Sequence, residues 1–218
     1  VAVTNVSAGY RDNPVLRDIS LAIAEGEMVG VLGPNGAGKT TLFRVLTGLC
    51  QPTVGTVHVF GRDIRRMPAQ ERARLIGVVP QEVDTPVAFT VEEIVMLGRA
   101  VALRRWAQPG AADRGIVDRA MAYTHVADIR QRPFTNLSGG EKQRVIVAMA
   151  LAQEPRLILM DEATSHLDIN HRFELMQIIE RLNVDQGVTV VIISHDLNLA
   201  GDFCRRLILL DHGRIAAD

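Results

Sequence analysis

The chain has 218 residues, of which 47% are hydrophobic and 22% are charged, and its formal net charge is −1. These values are typical of a globular domain, with or without an inserted subdomain, and they exclude a disordered, collagen-like or coiled-coil chain. The near-zero charge offers no overall field that would favour nucleic acid or anionic lipid.

Other features of the composition indicate a reduced, cytosolic environment. Cys50 and Cys204 are far apart in the chain and are expected to be buried thiols. The longest apolar runs are much shorter than a membrane span, and no signal-peptide pattern opens the sequence. The chain does not begin with Met, so we expect that residues precede Val1.

In chain order, the first third is predicted to be rich in strands. Polar and apolar residues alternate over 19–23, and a second short strand over 57–60 ends at Gly61. Nearly continuous apolar runs are typical of parallel strands covered on both faces by helices. They occupy residues 28–32, 156–160, 188–193 and 206–210, with a further strand-like segment at 76–80. Helical patterns at 40–49, 170–182 and 197–204 separate several of these runs, which predicts an α/β fold with a mainly parallel sheet and an N-terminal antiparallel β subdomain.

Residues 90–152 have a different pattern, with helical periodicity at 90–99, 113–126 and 139–152 and no strand-like runs. We expect a helical subdomain here, inserted between the α/β core segments 1–89 and 153–218 of a single domain. Between residues 99 and 132 seven Arg oppose three Asp. Two interpretations stay open for this excess: a solvated helical face, or a docking face for a membrane or an acidic partner.

Residues 33–40 form a glycine-rich phosphate loop, Gly-Pro-Asn-Gly-Ala-Gly-Lys-Thr, between a predicted buried strand and a predicted helix. The glycines let backbone N–H groups point at phosphate oxygens, and the helix N-terminus adds partial positive charge. Lys39 is expected to contact the β- and γ-phosphates, and the Thr40 hydroxyl to bind Mg²⁺. The residues predicted to bind the nucleotide in this loop are Gly33, Pro34, Asn35, Gly36, Ala37, Gly38, Lys39, Thr40 and Thr41.

Two adjacent carboxylates, Asp161 and Glu162, follow the apolar run 156–160. The carboxyl ends of parallel strands form the ligand crevice of an open sheet. Asp161 is therefore predicted to help hold Mg²⁺, and Glu162 to orient or deprotonate the attacking water.

Residues 137–144 read Leu-Ser-Gly-Gly-Glu-Lys-Gln-Arg and include a predicted capping box. In such a box Ser138 caps the start of a helix, and the Glu141 side chain bonds back to the backbone of Ser138. The box does not account for Gly139 and Gly140, since glycine in a helix costs roughly 1 kcal/mol relative to alanine. Bare backbone at a helix start suits close approach to an anion. This string resembles the signature motif of the ABC ATPases, and the resemblance extends over essentially the whole chain.

The resemblance implies roles for further residues. Tyr10 matches an aromatic residue that stacks on adenine, and Gln81 matches a glutamine that senses Mg²⁺ and couples to a partner. His195 matches a histidine that positions the γ-phosphate and water, while residues 165–168, including Asp168, match a loop that contacts the opposite subunit. Two positions depart from the family pattern, which usually has Pro where Ala163 stands and often a small residue where His166 stands.

The resemblance also implies a head-to-tail dimer that holds two ATP between its subunits. Ser138, Gly139, Gly140, Glu141 and Asp168 of one copy would then contact the nucleotide held by the other copy. Lys39 and Ser138 are 99 residues apart, and neither a coiled coil nor a membrane helix separates them. This spacing fits the separate ATPase subunit of a prokaryotic importer.

Several strings resemble importers of iron–siderophores, haem or cobalamin, namely residues 91–99, 163–171, 194–200 and 206–218. The expected partners are integral membrane permease subunits and, indirectly, a periplasmic or surface substrate-binding protein. The expected location is peripheral, on the cytoplasmic face of the inner membrane. The alternatives are an importer ATPase for another substrate such as zinc or manganese, and a soluble ABC ATPase that acts on nucleic acid or ribosomes. The weak charge disfavours nucleic acid as a partner.

Overall fold

The computed structural model describes residues 1–10, 13–81, 89–103, 107–164 and 167–218. The strands in chain order are β1 (Ala2–Tyr10), β2 (Asn13–Ala22), β3 (Met28–Leu32), β4 (Val54–Val59), β5 (Arg62–Asp63), β6 (Ile76–Val79), β7 (Leu157–Asp161), β8 (Thr189–Ile193), β9 (Arg206–Asp211) and β10 (Arg214–Ala217). The α-helices are α1 (Lys39–Leu46), α2 (Ala69–Leu75), α3 (Val91–Leu97), α4 (Ala111–Tyr123), α5 (Gly139–Ala152), α6 (Ile169–Gln186) and α7 (Leu197–Phe203).

The apolar runs form a six-stranded sheet in the order β10-β9-β3-β8-β7-β6. All neighbouring strands in it are parallel except β10, which runs antiparallel to β9. Successive side chains of each strand point to opposite faces, and both faces of the central strands β3, β7 and β8 are covered. Val29 and Val31 of β3 pack into one hydrophobic core, whereas Met28 packs into the other. The predicted α/β fold is confirmed, and a core on each face explains why these strands are apolar throughout.

The N-terminal strands form a separate four-stranded sheet in the order β2-β1-β4-β5, with antiparallel pairing throughout. This confirms the predicted antiparallel β subdomain. The sheet packs on α1 in the same core as Val29 and Val31. Strand β1 was not singled out from the sequence, and irregular register with β2 accounts for its weak alternation. Its last residue is Tyr10, which is thereby brought close to α1.

Helix α2 and strand β10 were also absent from the predicted elements. None of the residues of α2 is buried, so this helix lacks the apolar stripe from which helical periodicity is recognised. Strand β10 has no buried residue either. Among the described residues, no helix is long and apolar enough to span a bilayer.

Helices α3, α4 and α5 occupy the segment predicted to be helical, and their buried residues share a core with one face of the main sheet. Gly98 lies directly against α5, because a Cβ atom there would be 2.2 Å from the Met149 carbonyl oxygen. The division of the chain at residues 90 and 152 stays a prediction.

Most of the arginines of this segment that the structure describes are paired with carboxylates of the same chain. The buried Arg99 guanidinium contacts carboxylate oxygens of Asp113 and Glu154, each at 3.0 Å. Arg130 contacts Asp118 at 2.6 Å and Glu92 at 3.2 Å, and Arg132 contacts Glu141 at 2.9 Å. Arg104 and Arg105 lie outside the described residues. The pairs favour the interpretation of a solvated, internally neutralised face over a docking face.

Candidate functional site

The phosphate loop connects β3 to α1, and its glycines are required by its geometry. A Cβ atom on Gly33 would be 2.2 Å from the Leu210 carbonyl oxygen, so only glycine lets the loop lie this close to β9. Gly38 precedes the first residue of α1 with a φ of 105°, in the left-handed region that favours glycine. The first-turn N–H groups of α1 therefore face the mouth of the loop, as an anion site requires.

Lys39 is the first residue of α1 and is only 6% exposed. Its Nζ donates to the carbonyl oxygens of Gly33 at 2.7 Å and Pro34 at 3.2 Å, and it lies 3.8 Å from Glu162 Oε1. The ammonium group is thus held over the loop by the loop's own carbonyls. Because it has a third donor and a flexible stem, it can turn to a phosphate that enters the loop.

Glu162 lies between Lys39 and His195. Its Oε1 is 3.8 Å from Lys39 Nζ, and its Oε2 is 3.6 Å from His195 Nδ1. Its backbone has a φ of 47°, unusual for a residue other than glycine, and its N–H donates to the Ile193 carbonyl at 2.9 Å. This bond joins the loop after β7 to the end of β8. The carboxylate is 22% exposed, so water can reach it.

Asp161 ends β7, one residue before Glu162. Burial, and next the negative charge of Glu162, raises the pKa of Asp161 above its usual range. Arg44 and Lys39 oppose that rise. A half-buried carboxylate beside a second carboxylate is stabilised in its charged form by a nearby cation.

The residues predicted to hold Mg²⁺ can be compared with the ligands that an ATP-associated metal needs. Among the residues described here, no three His, Cys, Asp or Glu side chains converge as metal ligands. Mg²⁺ in phosphoryl-transfer sites needs only one or two protein oxygens, because phosphates and waters supply the rest. Asp161 fits this requirement. Thr40 is exposed on the first turn of α1, and Gln81 is exposed just after β6, the strand beside β7.

Tyr10 is 43% exposed and is held by α1. Arg44 Nη1 donates to the Tyr10 hydroxyl at 2.9 Å, and the guanidinium carbon is 5.7 Å from the ring centre. Since Arg44 and Lys39 share one helix, the phenol ring is fixed relative to the phosphate loop. An exposed aromatic face in this place is able to stack on a base.

Residues 138–141, which we call the signature tip, form the first turn of α5 and its cap. Glu141 N–H donates to Ser138 Oγ at 3.3 Å, and Ser138 N–H donates to Glu141 Oε2 at 2.8 Å, as the capping-box pattern predicted. The Ser138 backbone N–H, with help from Arg132, holds the pKa of Glu141 below its usual value.

The structure adds a packing reason for Gly140 that the sequence did not reveal. A Cβ atom on Gly140 would lie 2.5 Å from Cδ2 of the His171 ring. Gly139 has no such restriction, since the nearest atom to its Cβ position is Leu167 Cδ2 at 3.7 Å. The absence of a side chain at Gly140 thus makes room for the His171 ring of the same chain. This reason holds independently of any anion that binds there.

Asp168 caps α6 and lies beside the signature tip. Its Oδ1 accepts from the His171 N–H at 3.0 Å, and its Oδ2 is 2.7 Å from His171 Nδ1. Ser165 and His166 of the same predicted loop lie outside the described residues. Gln143 Nε2 of α5 donates to the Pro80 carbonyl at 3.2 Å, which connects the signature helix to the residue before Gln81.

The predicted site residues therefore form two groups. Lys39, Asp161, Glu162 and His195 meet where β3, β7 and β8 end, with Tyr10 fixed beside the same helix as Lys39. The signature tip and Asp168 meet at the first turns of α5 and α6. Sequence reasoning missed Arg44, which holds Tyr10, and His171. The only signal for His171 was its position one helical turn after Asp168.

Comparison with known proteins shows the family to which the chain belongs. The family model described as ABC transporter matches residues 16–165. The cobalamin import ATP-binding protein BtuD of Halobacterium salinarum is 40% identical over 213 residues, which are 98% of this chain and 53% of that protein. The hemin import ATP-binding protein HmuV of Pseudomonas entomophila is 43% identical over 92% of this chain and 78% of its own length. The iron(3+)-hydroxamate import ATP-binding protein FhuC of Bacillus subtilis is 34% identical, over 99% and 80%. The chain thus spans about half the length of the BtuD protein that it matches.

Solved structures show the same fold. The dimeric bacterial ABC transporter cassette MJ0796 superposes with a TM-score of 0.86 at 31% identity, covering 99% of this chain and 96% of that one. It has also been solved in a post-hydrolysis state with ADP and Pi. A proposed metal-chelate type ABC transporter in an inward-facing conformation gives a TM-score of 0.88 at 30% identity, covering 98% and 80%. From the family match, the identities and the phosphate loop and signature tip that the fold presents, this chain belongs to the ABC transporter family.

Proposed function

We propose that this chain is the ATP-hydrolysing subunit of a membrane ABC importer for a metal chelate, namely an iron–siderophore, haem or cobalamin. The observation that carries the enzymatic part is the convergence of Lys39, Glu162 and His195 at the mouth of the phosphate loop. The substrate class is supported by relatives that are named for the import of cobalamin, hemin and iron(3+)-hydroxamate.

In the proposed mechanism, the N–H groups of residues 33–41 bind the phosphates of ATP, and Tyr10 stacks on the adenine. Lys39 leaves the carbonyls of Gly33 and Pro34 for the β- and γ-phosphates, where its charge is better neutralised. Glu162 then orients the attacking water and accepts its proton, since its carboxylate is partly exposed and loses its cationic neighbour to the phosphate. His195 is 55% exposed and is able to donate to the γ-phosphate or to hold the water.

Mg²⁺, held by Thr40, Gln81 and Asp161, would neutralise the charge that develops on the phosphates when it is bound. These three residues approach from the first turn of α1 and from the ends of the neighbouring strands β6 and β7.

The signature tip completes the site from a second copy of the chain. Ser138, Gly139, Gly140 and Glu141 lie on the other group of loops with Asp168, and in a head-to-tail dimer they would close on the nucleotide of the partner. Donors on the far side of the γ-phosphate supply stabilisation that one copy lacks. ATP binding would close the dimer and hydrolysis would release it, which makes the pair a mechanical clamp. The dimeric state of the similar cassette MJ0796 supports this arrangement.

The importer has further proposed parts. The partners are integral membrane permease subunits, with a periplasmic or surface substrate-binding protein that acts through them. The chain is placed peripherally on the cytoplasmic face of the plasma membrane. We divide the domain into an α/β core, residues 1–89 and 153–218, and a helical subdomain, about residues 90–152, that contains the signature tip.

The test combines hydrolysis, assembly and partner capture. Glu162→Gln keeps the size of the side chain but removes the base, so we expect phosphate release to fall at least about a hundredfold. The variant should form a dimer with Mg-ATP, measured by light scattering, while Lys39→Ala should remain monomeric. Tagged Glu162→Gln protein from its native host should co-purify with a polytopic membrane protein. Undiminished hydrolysis by Glu162→Gln would contradict the mechanism, and a preparation dominated by nucleic acid would favour the soluble alternative.

A further inference from the structure

His171 contacts both loops that the proposed mechanism directs at the partner copy. Its ring lies under the signature tip, with Cδ2 and Cγ at 2.5 and 2.7 Å from the Cβ position of Gly140. The same ring places Nδ1 2.7 Å from Oδ2 of Asp168. One side chain therefore spans from the first turn of α5 to the cap of α6.

The direction of the hydrogen bond follows from its acceptor. An ionised carboxylate only accepts, so Nδ1 of His171 carries the hydrogen and donates it. Asp168 also accepts from the His171 backbone N–H at 3.0 Å. The pKa of Asp168 is lowered first by that backbone donor and next by the ring, which is consistent with a carboxylate held in place in its charged form. Arg172 also holds this loop, since its Nε donates to the Leu167 carbonyl at 2.7 Å.

We propose that His171 is a positioning residue for ATP hydrolysis, which fixes Asp168 and the signature tip at one spacing so that both meet the partner's nucleotide as a unit. This inference rests on the dimer of the proposed function. In this arrangement the role of His171 requires no contact with the nucleotide of its own copy. His171 acts through Asp168 and Gly140, and it changes how well these residues contact the nucleotide held by the other copy.

The exposure of the pair separates this role from support of the fold. The side chain of His171 is 36% exposed and that of Asp168 is 65% exposed. Exposed pairs of this kind contribute little to unfolding free energy. Loss of the ring should therefore leave the folded monomer intact and alter only the geometry that the partner meets.

The experiment uses the full chain with Glu162→Gln as a background, so that ATP is retained. Into it we introduce His171→Ala, which removes the ring and the donor, His171→Asn, which keeps a donor near the Nδ1 position, and His171→Phe, which keeps the ring alone. His212→Asn is the control, because His212 is 95% exposed at a turn with a φ of 43° that asparagine tolerates. Two quantities are measured: binding of a fluorescent ATP analogue at monomer concentration, and the Kd of the ATP-dependent dimer by light scattering.

We expect His171→Ala to bind the analogue as its parent does and to weaken the dimer about tenfold, the loss of one well-placed charge-assisted hydrogen bond. His171→Asn should recover most of the dimer affinity, and His171→Phe should not. Equal dimerisation of His171→Ala and its parent, recovery by His171→Phe, or a parallel loss of monomer binding would overturn the proposal. If the Glu162→Gln parent itself fails to dimerise with ATP, the proposed function fails and the inference fails with it.

Discussion

Gly140 provides a quantitative test of why the signature tip contains glycine. In Gly140→Ala the added methyl group meets the His171 ring at 2.5 Å and its Cβ at 3.2 Å. The ring is the part that must rotate, and doing so moves Nδ1 away from Asp168. Overpacking of this kind typically costs about 1–3 kcal/mol, and partial exposure of the ring places the expected loss of unfolding free energy near the lower end, at about 1 kcal/mol.

The same substitution should have the opposite sign when the ring is absent. In a His171→Ala background the methyl group has room, and alanine is better than glycine in a helical turn by up to about 1 kcal/mol. Gly140→Ala should then be neutral or slightly stabilising. The coupling between the two sites, measured as a double-mutant cycle, is therefore expected to be about 1–2 kcal/mol.

Urea denaturation of the four proteins, followed by far-UV circular dichroism, measures this coupling. Gly139→Ala is the matched control, because its Cβ position is 3.7 Å from the nearest atom and should show no dependence on His171. An identical effect of Gly140→Ala in both backgrounds would refute the packing argument. The glycine would then be explained only by the approach of an anion to bare backbone.

Three further predictions concern the phosphate loop, the helical segment and the pH dependence of the signature tip. Lys39→Ala removes the buried ammonium and should weaken binding of Mg-ATP by about 2 kcal/mol, roughly thirtyfold in Kd. Titration calorimetry measures this Kd, and unchanged tight binding would contradict the predicted contact of Lys39 with the phosphates. Arg99→Ala should lower the unfolding free energy by about 2–3 kcal/mol, because the buried guanidinium joins Asp113 of α4 to the Ala152 carbonyl at the end of α5. The matched change Arg66→Ala, at a side chain that is 89% exposed, should alter it little. Glu141→Gln retains a capping acceptor but not the charge. Since the Ser138 N–H depresses the pKa of Glu141, its contribution is present above about pH 4.5 and is lost as the pH falls through the folded-state pKa. Stability of the wild type and the Gln variant should therefore converge in acid, and parallel pH curves would contradict this.

Short strings of residues were enough to predict most of the residues that the structure brings together in the first group. The phosphate loop and the carboxylates 161–162 were recognised because the chemistry of phosphate and magnesium demands particular residues at fixed local spacing. The strands around them were recognised because burial on both faces leaves a continuous apolar run. Family and fold class followed from these strings together with the signature motif, and the comparisons confirm both.

Contacts between residues far apart in the chain could not be predicted from sequence patterns. Arg44 lies 34 residues from the tyrosine that it holds, and Arg99 lies 53 residues from the carbonyl that it binds. Helix α2 escaped recognition because a helix without a buried face has no apolar period. The role of a residue such as Arg44 or Arg99 depends on which residues the fold brings into contact with it.

Gly140 marks the boundary between the two kinds of information. The sequence shows that this glycine lies in a capping turn and that glycine is unfavourable there. From the sequence, the approach of an anion was the only explanation for it. Folding places the His171 ring against its α-carbon, and that contact exists only once α5 and α6 are packed together. Chemistry that depends on adjacent residues, such as phosphate binding by a glycine-rich loop, can be predicted from the sequence. Steric fit between helices is a property of three-dimensional packing, which no linear spacing encodes.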